Sequence, residues 1–215
     1  TREQFLFFEM RITAKMMVEG RSEEEIIGTI VEENLFQFPT EKSIRSISRA
    51  CINRLNALED PALIKTISEN PSDEAKQICM YAMMKRYRLL WDFMILVIGE
   101  KYRQCDFDFN KSDINAFILR LQEQDEYVAG WSESTVNKIR QVIMKILVAN
   151  EYLDSNRSDH LNPVLIYPSL ESAIKNTNRI FFRKSQRTNT ANNPPTNARL
   201  IIWLILFSMV SALFS

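Results

Sequence analysis

Glycine is scarce: Gly20, Gly28, Gly99 and Gly130 are the only four in a chain of 215 residues. A loop that cradles phosphate needs glycines close together, so the P-loop and dinucleotide-binding types are absent and nucleotide hydrolysis is disfavoured. Histidine is scarcer still. His160 stands alone in a polar loop, and no His, Cys and carboxylate cluster has the spacing of metal ligands. Neither a GxSxG elbow nor an HExxH motif occurs. The three cysteines, Cys51, Cys79 and Cys105, are odd in number and far apart, which argues against a disulfide framework and for a reducing compartment. Glu32 and Glu33 are neighbours on a helix and point about 100° apart, so they do not face each other as an acid and base pair. The nine methionines are spread through helical segments and read as core filler. No catalytic residue, metal or cofactor is expected, and the chain does not read as an enzyme.

Acid is missing from one end. Lysine plus arginine equals aspartate plus glutamate at 27 each, yet no acid follows Glu171, where six basic residues remain. The body of the chain is balanced and globular in composition, and its final 44 residues are a different kind of sequence.

What is present is helical signal. Phe5, Phe8, Ile12 and Met16 recur at helical spacing from Gln4 to Glu19 and stop at Gly20. Ser22-Glu23-Glu24-Glu25 is a capping box opening a second helix to about Phe36. A third begins near Glu41, with Ile44, Ile47, Cys51, Leu55 and Leu58 inward, and Asp60-Pro61 starts a short one to Glu69. The stretch Ser72 to Tyr102 reads as one long central helix. Its second half, Leu89 to Ile98, is apolar on every side except at Asp92, so other helices should cover it. Arg88 is placed for a salt bridge to Asp92 along that helix.

Gln104 to Asn110 reads as a connector and domain boundary, dividing a helical bundle over 1–103 from a second domain over 104–171. There, Ser112 to about Tyr127 forms a helix, Gly130 a turn, and Ser132 caps a helix from Glu133 to Val148. Two β-like runs follow, Glu151 to Leu153 and Val164 to Tyr167, joined by the polar loop Asp154 to Pro163. Helix, turn, helix and hairpin describe a winged helix-turn-helix. The fold class is therefore mainly α, a helical N-terminal bundle followed by a winged helix-turn-helix with one short β-hairpin.

Two polar helix faces carry the functional signal. On the Glu133 to Val148 helix, Val136, Ile139, Ile143, Ile146 and Leu147 share one side. Ser134, Asn137, Lys138, Gln141 and Lys145 share the other, without a carboxylate, and these side-chain types bond base edges and phosphates. Arg157 and His160 in the hairpin loop could add backbone contacts as a wing would. On the third helix, Lys42, Arg45, Arg49, Asn53 and Asn56 form a second stripe free of acids. The alternative there is an ordinary solvated face, or one neutralised by the acidic second helix.

Several stretches carry a likeness: Glu32-Glu33-Asn34-Leu35-Phe36; Arg49-Ala50-Cys51 through Arg54-Leu55; Tyr81 to Phe93 with Leu89-Leu90-Trp91-Asp92-Phe93; and Trp131 through Gln141. Together they resemble the BrxA family, the small helical component of the BREX bacteriophage-defence system, over roughly Thr1 to Glu171. The resemblance implies a cytoplasmic, helical protein likened to the NusB antitermination fold. It also implies DNA or RNA binding, no established catalysis, and partners among the other BREX components: a methyltransferase, an ATPase, a phosphatase-like protein and a protease-like protein.

The tail departs from that pattern. Residues 172–198 are basic and rich in Asn, with Pro194-Pro195, and are expected to be a disordered linker. Leu200 to Ser215 is apolar for 16 residues, about 24 Å as a helix against the ~30 Å of a hydrocarbon core. A C-terminal anchor at the inner membrane is one reading, and a changed reading frame after Glu171 is the other. Thr1 in place of methionine suggests a sequence incomplete at its start. Besides nucleic-acid binding, a protein assembly adaptor is the alternative function.

Overall fold

A computed structural model describes residues 4–175. The linker and apolar-tail expectations for 176–215 lie outside the described residues. The chain is mainly helical, and no strand is present among those residues. By contacts it divides into two compact units, Glu3–Arg88 and a second beginning at Leu89.

The first unit opens with α1 (Phe7–Val18), α2 (Glu23–Glu32) and α3 (Glu41–Asn56). Local chemistry sets their ends. Gly20 takes φ +79 just past α1, a conformation that costs a residue without Cβ little. At α2 the capping box forms as expected: Glu25 N–H donates to Ser22 Oγ at 3.3 Å, and Ser22 N–H donates to Glu25 Oε2 at 2.8 Å. The Ser22 backbone bond, then its hydroxyl, holds the Glu25 carboxyl below its ordinary 4.5. Thr40 caps α3 by accepting from Ser43 N–H at 3.3 Å. The three helices and Phe36 in the turn after α2 bury Met16, Ile26, Ile30, Phe36, Ile44 and Ile52 in one cluster, and each such side chain contributes about 1.5–3 kcal/mol when fully buried.

Helices α4 (Pro61–Glu69) and α5 (Ser72–Arg86) complete this unit. Asp60 caps α4, its Oδ1 accepting from Ala62 N–H at 2.9 Å, with Pro61 in the first turn. The single helix expected from Ser72 to Tyr102 is interrupted. Tyr87 adopts extended backbone, φ −120 and ψ 103, and ends α5. Beyond it run α6 (Arg88–Phe93), a π-helical turn (Met94–Ile98) and α7 (Gly99–Arg103). A stretch apolar on all sides has no amphipathic period to hold one register, and the wide π turn buries Met94, Ile95 and Ile98 together.

The segment from Leu89 to Arg103 groups with the second unit because its large side chains pack there. The Phe93 ring meets Phe109 and Phe117 edge-on, at 6.5 Å and 5.3 Å between centroids. Tyr102 meets Tyr152 at 6.4 Å, and its hydroxyl donates to the Asn162 carbonyl. The helices that follow include α8 (Lys111–Gln124), α9 (Glu126–Ala129) and α10 (Glu133–Ala149), and residues 168–175 are helical as well. Where one helix was expected through Tyr127, Asp125 breaks it with φ −141 and ψ 115. The Asp125 carboxylate then caps α9, accepting from Tyr127 N–H at 2.8 Å.

The expected hairpin between Glu151–Leu153 and Val164–Tyr167 is absent: the first run is turn and bend, the second irregular. Tyr152 and Leu153 are both buried, which alternation along a strand with one buried face does not allow. Pro163 and Pro168 flank the second run and remove amide donors. The loop pairs with the connector instead. Phe109 N–H donates to Asp159 O at 2.8 Å and Leu161 N–H to Phe107 O at 2.8 Å, making an isolated antiparallel bridge between Asp108 and His160.

Candidate functional site

Helix α10 owes its start to Ser132, whose Oγ accepts from Thr135 N–H at 3.3 Å. Its inward side is Ile139, Val142, Ile143, Met144, Ile146 and Leu147, all buried. With that side fixed, the opposite one is set by the 3.6-residue period. Ser134, Asn137, Lys138, Gln141 and Lys145 are all exposed, as the spacing predicted. Lys138 and Lys145 make no ion pair among the described residues. Glu133, at the first position of the helix, is the acid nearest this face in the chain and is also exposed.

The α3 stripe is mixed. Lys42, Arg49 and Asn53 are exposed. Arg45 is half-buried and bonded to Glu41, with both Nε and Nη2 2.7 Å from the same carboxylate oxygen. One of the three cations is therefore matched by an acid a turn away, a pairing that the count of the stripe alone left out. Acidic α2 meets the stripe at its end, where Asn56 Nδ2 donates to Glu23 Oε1 at 3.2 Å. The α3 stripe belongs to the first unit and α10 to the second.

Arg157 is exposed in the turn after α10, its backbone N–H donating to Ser155 Oγ at 3.2 Å. His160 is exposed as well, its ring 5.8 Å from that of Phe107. Glu32 and Glu33 are exposed, Cys51 and Cys79 buried, and Cys105 exposed as a free thiol. Among the described residues no three His, Cys, Asp or Glu side chains group as metal ligands, and no helix is long and apolar enough to cross a membrane.

Two features escaped sequence reasoning. Arg54 lies fully buried on α3, one position from the apolar Leu55, where helical spacing reads a polar residue as outward. Tyr127 and Trp131 pair at the head of α10, their centroids 6.4 Å apart with planes at 86°. Their four-residue separation could have signalled the second contact, had α9 been recognised as a separate turn.

A family model described as BrxA matches residues 1–178. A relative named BREX protein BrxA from Bacillus cereus (strain H3081.97) is 32% identical over 154 residues, covering 72% of this chain and 76% of that protein. Another of the same name, from Paramagnetospirillum magneticum (strain ATCC 700264 / AMB-1), is 26% identical over 170 residues, 79% of this chain and 85% of its own length. The fold is shared with the crystal structure of an uncharacterized protein from Magnetospirillum magneticum, at a TM-score of 0.67 and 24% identity, covering 84% of this chain and 91% of that one. Matched by the family model over most of its length and by relatives of that name at both ends of this identity range, the chain belongs to the BrxA family.

Proposed function

We propose that this chain is a non-enzymatic, nucleic-acid-binding accessory component of a BREX bacteriophage-defence system, acting in the cytoplasm beside other BREX components. The observation that carries the reading is the outer face of α10. Five side chains able to bond phosphates and base edges stand exposed, two of them lysines without ion pairs among the described residues. In the helix-turn-helix reading α8 is the first helix, α9 and the turn at Gly130 the connection, and α10 the reading helix. In this reading the loop bearing the exposed Arg157 serves as the wing, though it is not built from strands. On α3, Lys42, Arg49 and Asn53 form the second contact face, and Arg45 contributes less because Glu41 already holds it. A NusB-like character for the N-terminal helices rests on family likeness.

A gel-shift series with single-stranded and duplex DNA and RNA at several ionic strengths tests this. Phosphate contacts release counterions, so binding should weaken steeply with salt. Absence of binding to all four at low salt would leave the assembly adaptor as the reading.

A further inference from the structure

Tyr127 is 80% exposed, more than any other large apolar side chain described. Its ring rests edge-on against the half-buried Trp131. The backbone beneath is fixed by Asp125 accepting from Tyr127 N–H, by Gly130 N–H donating to Glu126 O at 3.1 Å, and by Trp131 N–H donating to Val128 O at 3.1 Å. A rigid turn thus holds an aromatic face out in water at the point where the chain enters α10. From Ser132 it is about 9 Å along the helix axis to Lys138, and about 10 Å more to Lys145.

We propose that Tyr127, braced by Trp131, is a stacking platform for an unpaired base of a single-stranded nucleic acid whose phosphates follow Lys138 and Lys145. This rests on the nucleic-acid reading above and adds the form of the ligand. An exposed aromatic ring alone would suit a protein partner equally well. Charge decides: the adjoining α10 face offers amide and ammonium groups to a polyanion. The exposed carboxylates near the ring in the chain, Glu123, Asp125, Glu126 and Glu133, repel a phosphate but not an uncharged base. The ring therefore takes the base while the backbone runs along the lysines. In a duplex the base faces are covered by their stacked neighbours, and reaching one requires unstacking. Single strands offer them freely.

The test is fluorescence anisotropy with a labelled oligothymidylate and a duplex of equal length, using the full chain and the variants Tyr127→Ala and Tyr127→Phe. Because Tyr127 is exposed, neither substitution opens the core. Tyr127→Ala should weaken oligothymidylate binding roughly tenfold or more, Tyr127→Phe should retain it, and duplex affinity should be unchanged in both. If the wild type binds the oligothymidylate and Tyr127→Ala binds it equally well, or loses single strand and duplex alike, the platform is overturned while the broader reading stands. If the wild type binds neither, the broader reading fails and the platform with it.

Discussion

Arg54 Nε donates to the Tyr87 hydroxyl at 3.3 Å, and its guanidinium carbon stands 5.3 Å from the centre of that ring. The buried cation of α3 thus grips the residue at which α5 stops. Arg54 also donates to the Phe5 carbonyl at 3.3 Å, so one side chain ties the entry of α1 to the end of α5. Tyr87→Phe removes the hydroxyl and keeps the ring; it should cost about 1–2 kcal/mol in urea unfolding. Tyr87→Leu also removes the cation–π contact and should cost more. Equal stability of the two variants would mean that the ring face contributes nothing.

A second knot should show in the pH dependence of stability. Lys101 Nζ lies 3.0 Å from Asp106 Oδ2, 3.5 Å from Asp113 Oδ1 and 2.5 Å from the Asp108 carbonyl. Partial burial favours the neutral amine, but the carboxylates outweigh it and hold Lys101 above its ordinary 10.5. The Lys101 hydrogen bond in turn holds the Asp106 carboxyl below its ordinary 3.8. The Asp106 contribution is present above pH 3.8 and is lost as pH falls through the lowered folded value. The Lys101 contribution is present below pH 10.5 and is lost as pH rises through the raised one. Asp106→Asn should therefore be less stable than wild type at neutral pH and show a flatter acid limb in denaturation curves. An unchanged acid limb would place the acid sensitivity elsewhere.

Ser132→Ala deletes the cap of α10 and should cost about 1 kcal/mol in thermal unfolding, whereas Ser132→Asp should be nearly neutral. Amide hydrogen exchange should rise in the first turn, around Ser134 and Thr135. Unaltered exchange there would show that tertiary packing alone holds the turn.

On α3 the two arginines should differ. Arg49→Ala removes a cation with no ion pair among the described residues, whereas Arg45→Ala removes one already bound to Glu41. Arg49→Ala should weaken nucleic-acid binding more than Arg45→Ala does. The reverse order would show that the Glu41 pair opens on binding.

Helix starts were legible because they are written in single residues. Ser22 and Ser132 each cap the helix that their position announces, and Asp60-Pro61 opens α4 as its position announces. The two sides of α10 were legible as well, since a 3.6-residue period leaves no choice once Ile139, Ile143 and Leu147 are inward. The break at Tyr87 was not, because no glycine or proline marks it and a long-range contact with Arg54 accompanies it. The hairpin misled because Val164 to Tyr167 has β-branched and aromatic composition, while its loop finds partners in residues 107–109, far away in sequence. Arg45 was countable as a cation, but its neutralisation by Glu41 depends on the side chain's chosen rotamer.

The most direct test of the central claim compares the salt dependence of nucleic-acid affinity for wild type and for Lys138→Glu with Lys145→Glu. The two lysines are exposed, so the folded state should be retained, as circular dichroism would verify. The wild type should lose affinity linearly in log salt, and the double variant should bind weakly with a slope shallower by about 1.5–2. Identical slopes and affinities for the two proteins would contradict α10 as the contact face and move the site to Lys42 and Arg49.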